Sequence, residues 1–99
     1  MTIVNVEVLE KFQKKHAQSR NALDNWYAVA SRASWKNLVE VQQTYPHADL
    51  VDAFIVFNIS GNKYRMITRI NFGAQLISIK EVFTHAEYSK GGFRNACNK

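Results

Sequence analysis

Hydrophobic positions recur along this chain with two different periods, and the change from one to the other falls near residue 50. After a short opening, Thr2 to Val4, that reads as a strand, Val6, Leu9, Phe12 and His16 lie at helical spacing. Asn5 suits the N-cap of this first helix, and Glu7 lies in its first turn, where a carboxylate meets the positive end of the helix dipole. The pattern predicts a helix over roughly 5–16. A second helix, over roughly 17–33, carries Leu23, Trp26, Tyr27, Ala30 and Ala33 on one stripe, with Arg20, Asn21, Asp24 and Asn25 off it. Asn37 with Glu40 three residues on reads as a capping box, and Leu38, Val41 and Tyr45 line a short third helix that Pro46 ends.

From Ala53 the period shortens to two. Ala53 to Ile59 is a run of aromatic and β-branched residues, Ser60-Gly61-Asn62 is a turn signal, and Lys63 to Phe72 alternates in polarity. Gly73-Ala74 then breaks the pattern, and Leu76 to Phe83 alternates again. The expected product is an antiparallel meander of these strands. A two-residue turn at Gly73-Ala74 puts Ile70 opposite Ile77, Thr68 opposite Ile79, Ile67 opposite Lys80 and Tyr64 opposite Phe83. Either placement of the first turn keeps Ile55, Phe57 and Ile59 on the face of Tyr64 and Met66. One face is then apolar, with Glu81 its one charge, and the helices cover it. The fold class is α+β: N-terminal helices packed on one face of a small antiparallel meander, followed at 84–88 by a short C-terminal helix and a polar tail.

Composition narrows the class of molecule. The 99 residues, 46% of them hydrophobic and 12% aromatic, suffice for one domain over 1–99 with one core. No apolar window is long enough to span a membrane, and the amino end lacks the basic and apolar regions of a signal peptide, so a cytoplasmic location is expected. The single Cys97 excludes an internal disulfide and a zinc ribbon. His16, His47 and His85 show no ligand spacing, and neither metal nor cofactor is expected. The net charge is +5, and its placement is uneven. Residues 1–52 hold six Lys and Arg against six Asp and Glu, whereas 53–99 hold seven against Glu81 and Glu87, so the excess belongs to the strand-rich half.

The predicted register sorts that excess further. Arg65 and Arg69 fall on the face away from the helices, diagonal to Lys80, with no acid expected beside them. Alternating cations on a solvated sheet face are common, but the fork of Arg fits phosphate at two points, and both readings stand. Thr84-His85-Ala86-Glu87-Tyr88 also reads two ways. Thr84 and Glu87 form a capping box, while His85 and Tyr88 supply a proton carrier and a stacking phenol beside the cationic strand. Trp26, Tyr27 and Trp35 are expected in the core rather than stacked on bases. Lys90, Arg94 and Lys99 belong to a basic tail, 91–99 being expected to be flexible.

The run Val56-Phe57-Asn58-Ile59-Ser60-Gly61-Asn62-Lys63-Tyr64-Arg65-Met66-Ile67, with Thr84-His85-Ala86-Glu87-Tyr88 beyond the next strand, resembles the HigB-type toxins of bacterial toxin-antitoxin modules, within the RelE-like superfamily. Trp26-Tyr27, Ala33-Ser34-Trp35 and Tyr45-Pro46-His47-Ala48-Asp49 are similar to the helical half of that family, so the likeness extends over about 2–90. It implies an endoribonuclease that cleaves mRNA, typically on the translating ribosome, arrests growth, and is silenced by a cognate antitoxin that is usually a helix-turn-helix protein. Arg65, His85, Glu87 and Tyr88 carry over from the motifs; Arg69 and Lys80 come from the face argument. The expected catalytic set is Arg65, Arg69, Lys80, His85 and Tyr88, with Asn62, Lys63, Glu87, Lys90 and Arg94 as RNA contacts. The chemistry implied is metal-independent attack by the RNA 2′-hydroxyl. Lys80 serves it electrostatically or as base, His85 as acid or base, and Glu87 orients His85 or only caps the helix. The same face could instead serve a non-catalytic RNA- or ribosome-binding module, or a protein partner alone.

Overall fold

A computed structural model of the protein describes residues 1–61 and 63–89, so the expectations for Asn62, Lys90, Arg94, Cys97 and Lys99 lie outside the described residues. The change of period near residue 50 is a change of secondary structure. Strand β1 (Thr2–Val4), helix α1 (Glu7–Lys15), a 3-10 turn (Ala17–Ser19), α2 (Arg20–Arg32) and α3 (Leu38–Thr44) come first. Strands β2 (Asp49–Val51), β3 (Phe54–Ile59), β4 (Tyr64–Asn71) and β5 (Leu76–Thr84) and helix α4 (His85–Ser89) follow.

The five strands form one sheet in the order β1-β5-β4-β3-β2. The expected meander β3-β4-β5 is its centre. β1 adds parallel to β5, with Ile3 opposite Ile77, and β2 adds antiparallel to β3, with Leu50 opposite Ile55. Both hairpins keep the register set by their turns: Ile59 pairs with Tyr64 and Phe57 with Met66, then Asn71 with Leu76 and Ile70 with Ile77.

Midway along the β4–β5 ladder the register shifts. Ile67 pairs with Glu81 and Thr68 with Ile79, which leaves Lys80 as an extra residue in a β-bulge. Because side chains alternate across a strand, one inserted residue exchanges the two faces for everything beyond it. Three expectations are thereby corrected. Ile67 is not opposite Lys80, Tyr64 pairs with Thr84 rather than Phe83, and Glu81 leaves the helix-covered face while Val82 enters it. The exchange removes a carboxylate from an apolar interior and replaces it with a Val that is 4% exposed.

The helices pack against the face bearing Ile55, Phe57, Ile59, Tyr64, Met66 and Ile79. From α1 come Leu9 and Phe12, from α2 Leu23, Trp26 and Ala30, and from α3 Val41, all buried. Phe57 is the aromatic centre: its ring meets Trp26 edge-on at 5.5 Å, Tyr45 edge-on at 5.4 Å and Trp35 in a stacked arrangement at 6.3 Å. Trp26 and Trp35 are core as expected, but Tyr27 is 40% exposed, one step off the buried stripe of α2. The polar Thr68 is wholly buried in this face because its hydroxyl donates to the Ile55 carbonyl at 2.8 Å.

The caps divide. Asn37 caps α3, its Oδ1 accepting from the Glu40 amide at 3.0 Å, while Glu40 accepts from the Lys36 amide at 2.9 Å. Asn5 does not cap α1. It holds φ 65 at the bend out of β1, Val6 takes the N-cap position with no side-chain bond, and the helix starts at Glu7.

Candidate functional site

The face away from the helices is built on β3, β4 and β5. The ladder carries across it Val56 beside Ile67, Asn58 beside Arg65, Arg65 beside Phe83, and Arg69 beside Ser78. It is not a uniformly wet surface. Val56 and Ile67 are buried there, at 4% and 0% exposure, with Val51, Phe54, Phe83 and Tyr88 packed around them. The sheet therefore has a second, small apolar cluster, and α4 supplies its cover through Tyr88.

Arg65 joins that cluster to the charge. Its guanidinium carbon lies 5.7 Å from the centroid of the Tyr88 ring, and Nη1 donates to the Tyr64 carbonyl at 3.3 Å. Arg69 is exposed, four residues further along the same strand and so about 13 Å away. The bulge changes the rest of the predicted triad. Lys80, outside the ladder, lines a cleft between the free edge of β5 and α1, whereas Glu81, facing Ile67 and diagonal to Arg65, stands half-buried on the arginine face. The face thus holds two arginines with a carboxylate between them, rather than three unopposed cations. Glu81 was not singled out by the sequence because the unbroken alternation of β5 assigns it to the opposite face; the signal available was the cost of a lone carboxylate in an apolar core.

Helix α4 is fixed by a reciprocal capping box. The Glu87 amide donates to Thr84 Oγ1 at 3.2 Å, and the Thr84 amide donates to Glu87 Oε1 at 2.9 Å. The hydrogen bond from the Thr84 backbone holds the Glu87 carboxyl below its ordinary value, opposed by burial and assisted by the Thr84 hydroxyl, Lys15 and His16. Of the two readings of Glu87, this geometry gives the cap. The His85 amide donates to the Lys63 carbonyl at 2.9 Å, which ties the start of α4 to the β3–β4 turn and leaves the His85 side chain exposed. Two segments some twenty residues apart in sequence thus meet, one bringing Lys63 and Arg65, the other His85 and Tyr88.

The cap makes a testable contribution. A depressed folded pKa stabilises above the unfolded value and ceases to do so as pH falls through the folded one. The docking of α4 is therefore expected to be complete above the ordinary carboxylate value of 4.5 and to fade at lower pH. Thr84→Ala, which removes one of the two capping bonds, is expected to cost about 0.5–2 kcal/mol of helix stability at neutral pH. Amide exchange across 85–88 measures both effects; protection unchanged by acid and by the substitution would refute the capping role.

Residues 19–91 match the family model described as HigB_toxin, RelE-like toxic component of a toxin-antitoxin system. The chain belongs to the HigB toxin family. Its matched stretch begins at the turn before α2 and contains both motif segments of the site. The chain is 27% identical over 93 residues to the mRNA interferase HigB of Escherichia coli O6:H1, covering 91% of this chain and 90% of that protein. It is 26% identical over 91 residues to the mRNA interferase toxin HigB of Escherichia coli K12, covering 89% and 88%, and equally similar to the mRNA interferase HigB of Shigella flexneri. As the toxic component of such a system, a HigB toxin has an antitoxin as its partner. Among the described residues no helix is long and apolar enough to cross a membrane, and no three His, Cys, Asp or Glu stand where they could hold a metal ion.

Proposed function

We propose that this HigB toxin is a one-domain cytoplasmic endoribonuclease that cuts mRNA on the translating ribosome, under the control of a helix-turn-helix antitoxin. The observation that carries the reading is the contact between Arg65 and Tyr88, which unites the two motif segments over the open sheet face. The names of its relatives, mRNA interferases, point the same way.

The chemistry proposed is attack of an RNA 2′-oxygen on the adjacent phosphorus. The O2′–P bond forms, the P–O5′ bond breaks, a proton leaves the 2′-hydroxyl and one is delivered to the 5′-oxygen, giving a 2′,3′-cyclic phosphate. Negative charge grows on the non-bridging oxygens, and the guanidinium forks of Arg65 and Arg69 are suited to it. Their backbone positions, about 13 Å apart, are too far apart for both to serve one phosphate, so Arg65 takes the scissile phosphate and Arg69 another further along the RNA backbone. His85 and Glu81 are the proton carriers within reach of this face, and Tyr88 stacks on a base or donates to the phosphate. Lys80 approaches only from the strand edge. Lys63 extends the path for the RNA backbone, and Glu87 serves it by holding α4; Asn62, Lys90 and Arg94 are proposed as RNA contacts on their sequence alone.

Primer extension on translated mRNA after induced expression tests the reading, and discrete new 5′ ends are expected. Bound RNA with no cut ends would favour the non-catalytic alternative. Cleavage by purified toxin on ribosomes is expected to tolerate selective removal of transition metals with the ribosomal magnesium kept constant; loss of cutting under that treatment would overturn the metal-independent chemistry.

A further inference from the structure

The cleft that receives Lys80 wraps the free edge of β5, sharing Glu81 and Phe83 with the arginine face, and the proposed cleavage uses nothing on its α1 side. It has a volume of about 350 Å³, within the usual range of ligand pockets, and runs between α1 and the part of β5 that extends past β1. Its floor is apolar: Val8 and Phe12 from α1, Val82 and Phe83 from β5. Its charged lining is three lysines against Glu81 and Glu87. Lys11 and Lys15, one turn apart on α1, face Lys80 across it, and His16 closes one end with its ring 4.4 Å from that of Phe12. Helix α1 is polarised to suit, since Glu7 and Glu10 occupy its first turn and neither lines the cleft.

We infer that this cleft is the seat of the cognate antitoxin, which places there an acidic segment with one or two apolar side chains on the floor and carboxylates toward Lys11, Lys15 and Lys80. An apolar centre with a charged rim is the anatomy of a protein interface. RNA is the less suited occupant of this mixed lining, because its backbone presents phosphates alone, whereas a peptide can set carboxylates toward the lysines and its amides or a lysine toward Glu81 and Glu87. A segment seated here lies against Lys80 and α4, beside the arginine face, so it is positioned to close that face to RNA. The inference rests on membership of a toxin-antitoxin family and not on the cleavage chemistry, and a toxin found not to cut RNA would leave it standing.

The test is titration of purified cognate antitoxin against wild-type toxin and the Lys11→Glu/Lys15→Glu variant, alongside cleavage of translated mRNA by free toxin. Reversal of both rim charges is expected to raise Kd about 30-fold or more and to flatten its salt dependence, with free-toxin cleavage at the wild-type level. Unchanged antitoxin affinity overturns the assignment. So does retained affinity with reduced RNA binding and cutting, which would make the cleft an RNA path. Melting curves accompany both measurements, and should the double reversal lower the melting temperature appreciably, Lys11→Gln/Lys15→Gln, which leaves α1 uncharged at these positions, is expected to weaken the antitoxin by a smaller but measurable factor.

Discussion

Toxin in which Arg65 is replaced by Ala is expected to cut translated mRNA about 10²–10³-fold more slowly than the wild type, the usual cost of removing one donor aimed at developing oxyanion charge. The substitution should leave the molecule folded. Arg65 points away from the helix-covered core, is half-buried, and touches Tyr88 through a contact worth only about 0.5–1 kcal/mol at such a site. Arg65→Lys separates charge from geometry: a point charge without the planar fork is expected to recover a fraction of the rate, because a phosphate held at two points is held at one by an ammonium. Single-turnover cleavage with a melting curve for each variant is the measurement. Wild-type rates in Arg65→Ala would remove this residue from the chemistry and the open face with it.

Strand parity carried the reading as far as the chain obeyed it. The turns at Gly61 and Gly73 fix their hairpins because a loop of given length permits one register, and the pairs from Ile55 with Thr68 to Asn71 with Leu76 follow from that. Asn37 and Pro46 bracket α3 through local chemistry alone, and so does the Thr84 and Glu87 box. The bulge at Lys80 is not local in that sense. It resolves a conflict between the alternation of β5 and the cost of burying Glu81, and the result is settled by packing across the sheet rather than by the residues of one strand. Its consequence reaches the site, where Glu81 rather than Lys80 stands on the arginine face. β2 is not legible in the sequence for another reason: three residues, two of them exposed, carry too little periodicity, and only pairing with β3 makes them a strand. The cleft along α1 was also out of reach, since Lys11, Lys15 and Lys80 become neighbours only once α1 lies along β5.

Phe57→Ala is expected to have the largest effect on stability, and its signature is the reverse of that of Arg65→Ala. Phe57 is wholly buried and is the ring on which Trp26, Trp35 and Tyr45 converge. Its removal forfeits the transfer free energy of the side chain and leaves a cavity that three rigid aromatics cannot collapse to fill, a change of about 3–5 kcal/mol. A domain of this size has a total stability of roughly 5–15 kcal/mol, so the variant should melt on the order of 15 °C or more below the wild type. Trp26→Phe next to it should cost much less, because the Trp26 indole N–H is buried without an acceptor and its loss abandons no hydrogen bond. Melting temperature and cleavage rate together then divide the two faces of the sheet. Variants on the helix-covered face lose activity only as they lose the fold, and their rates return to normal when measured well below their melting points. Variants on the arginine face stay slow at every temperature at which the protein is folded. A Phe57→Ala protein that melts like the wild type would mean that this aromatic cluster is not what joins the helical half to the sheet.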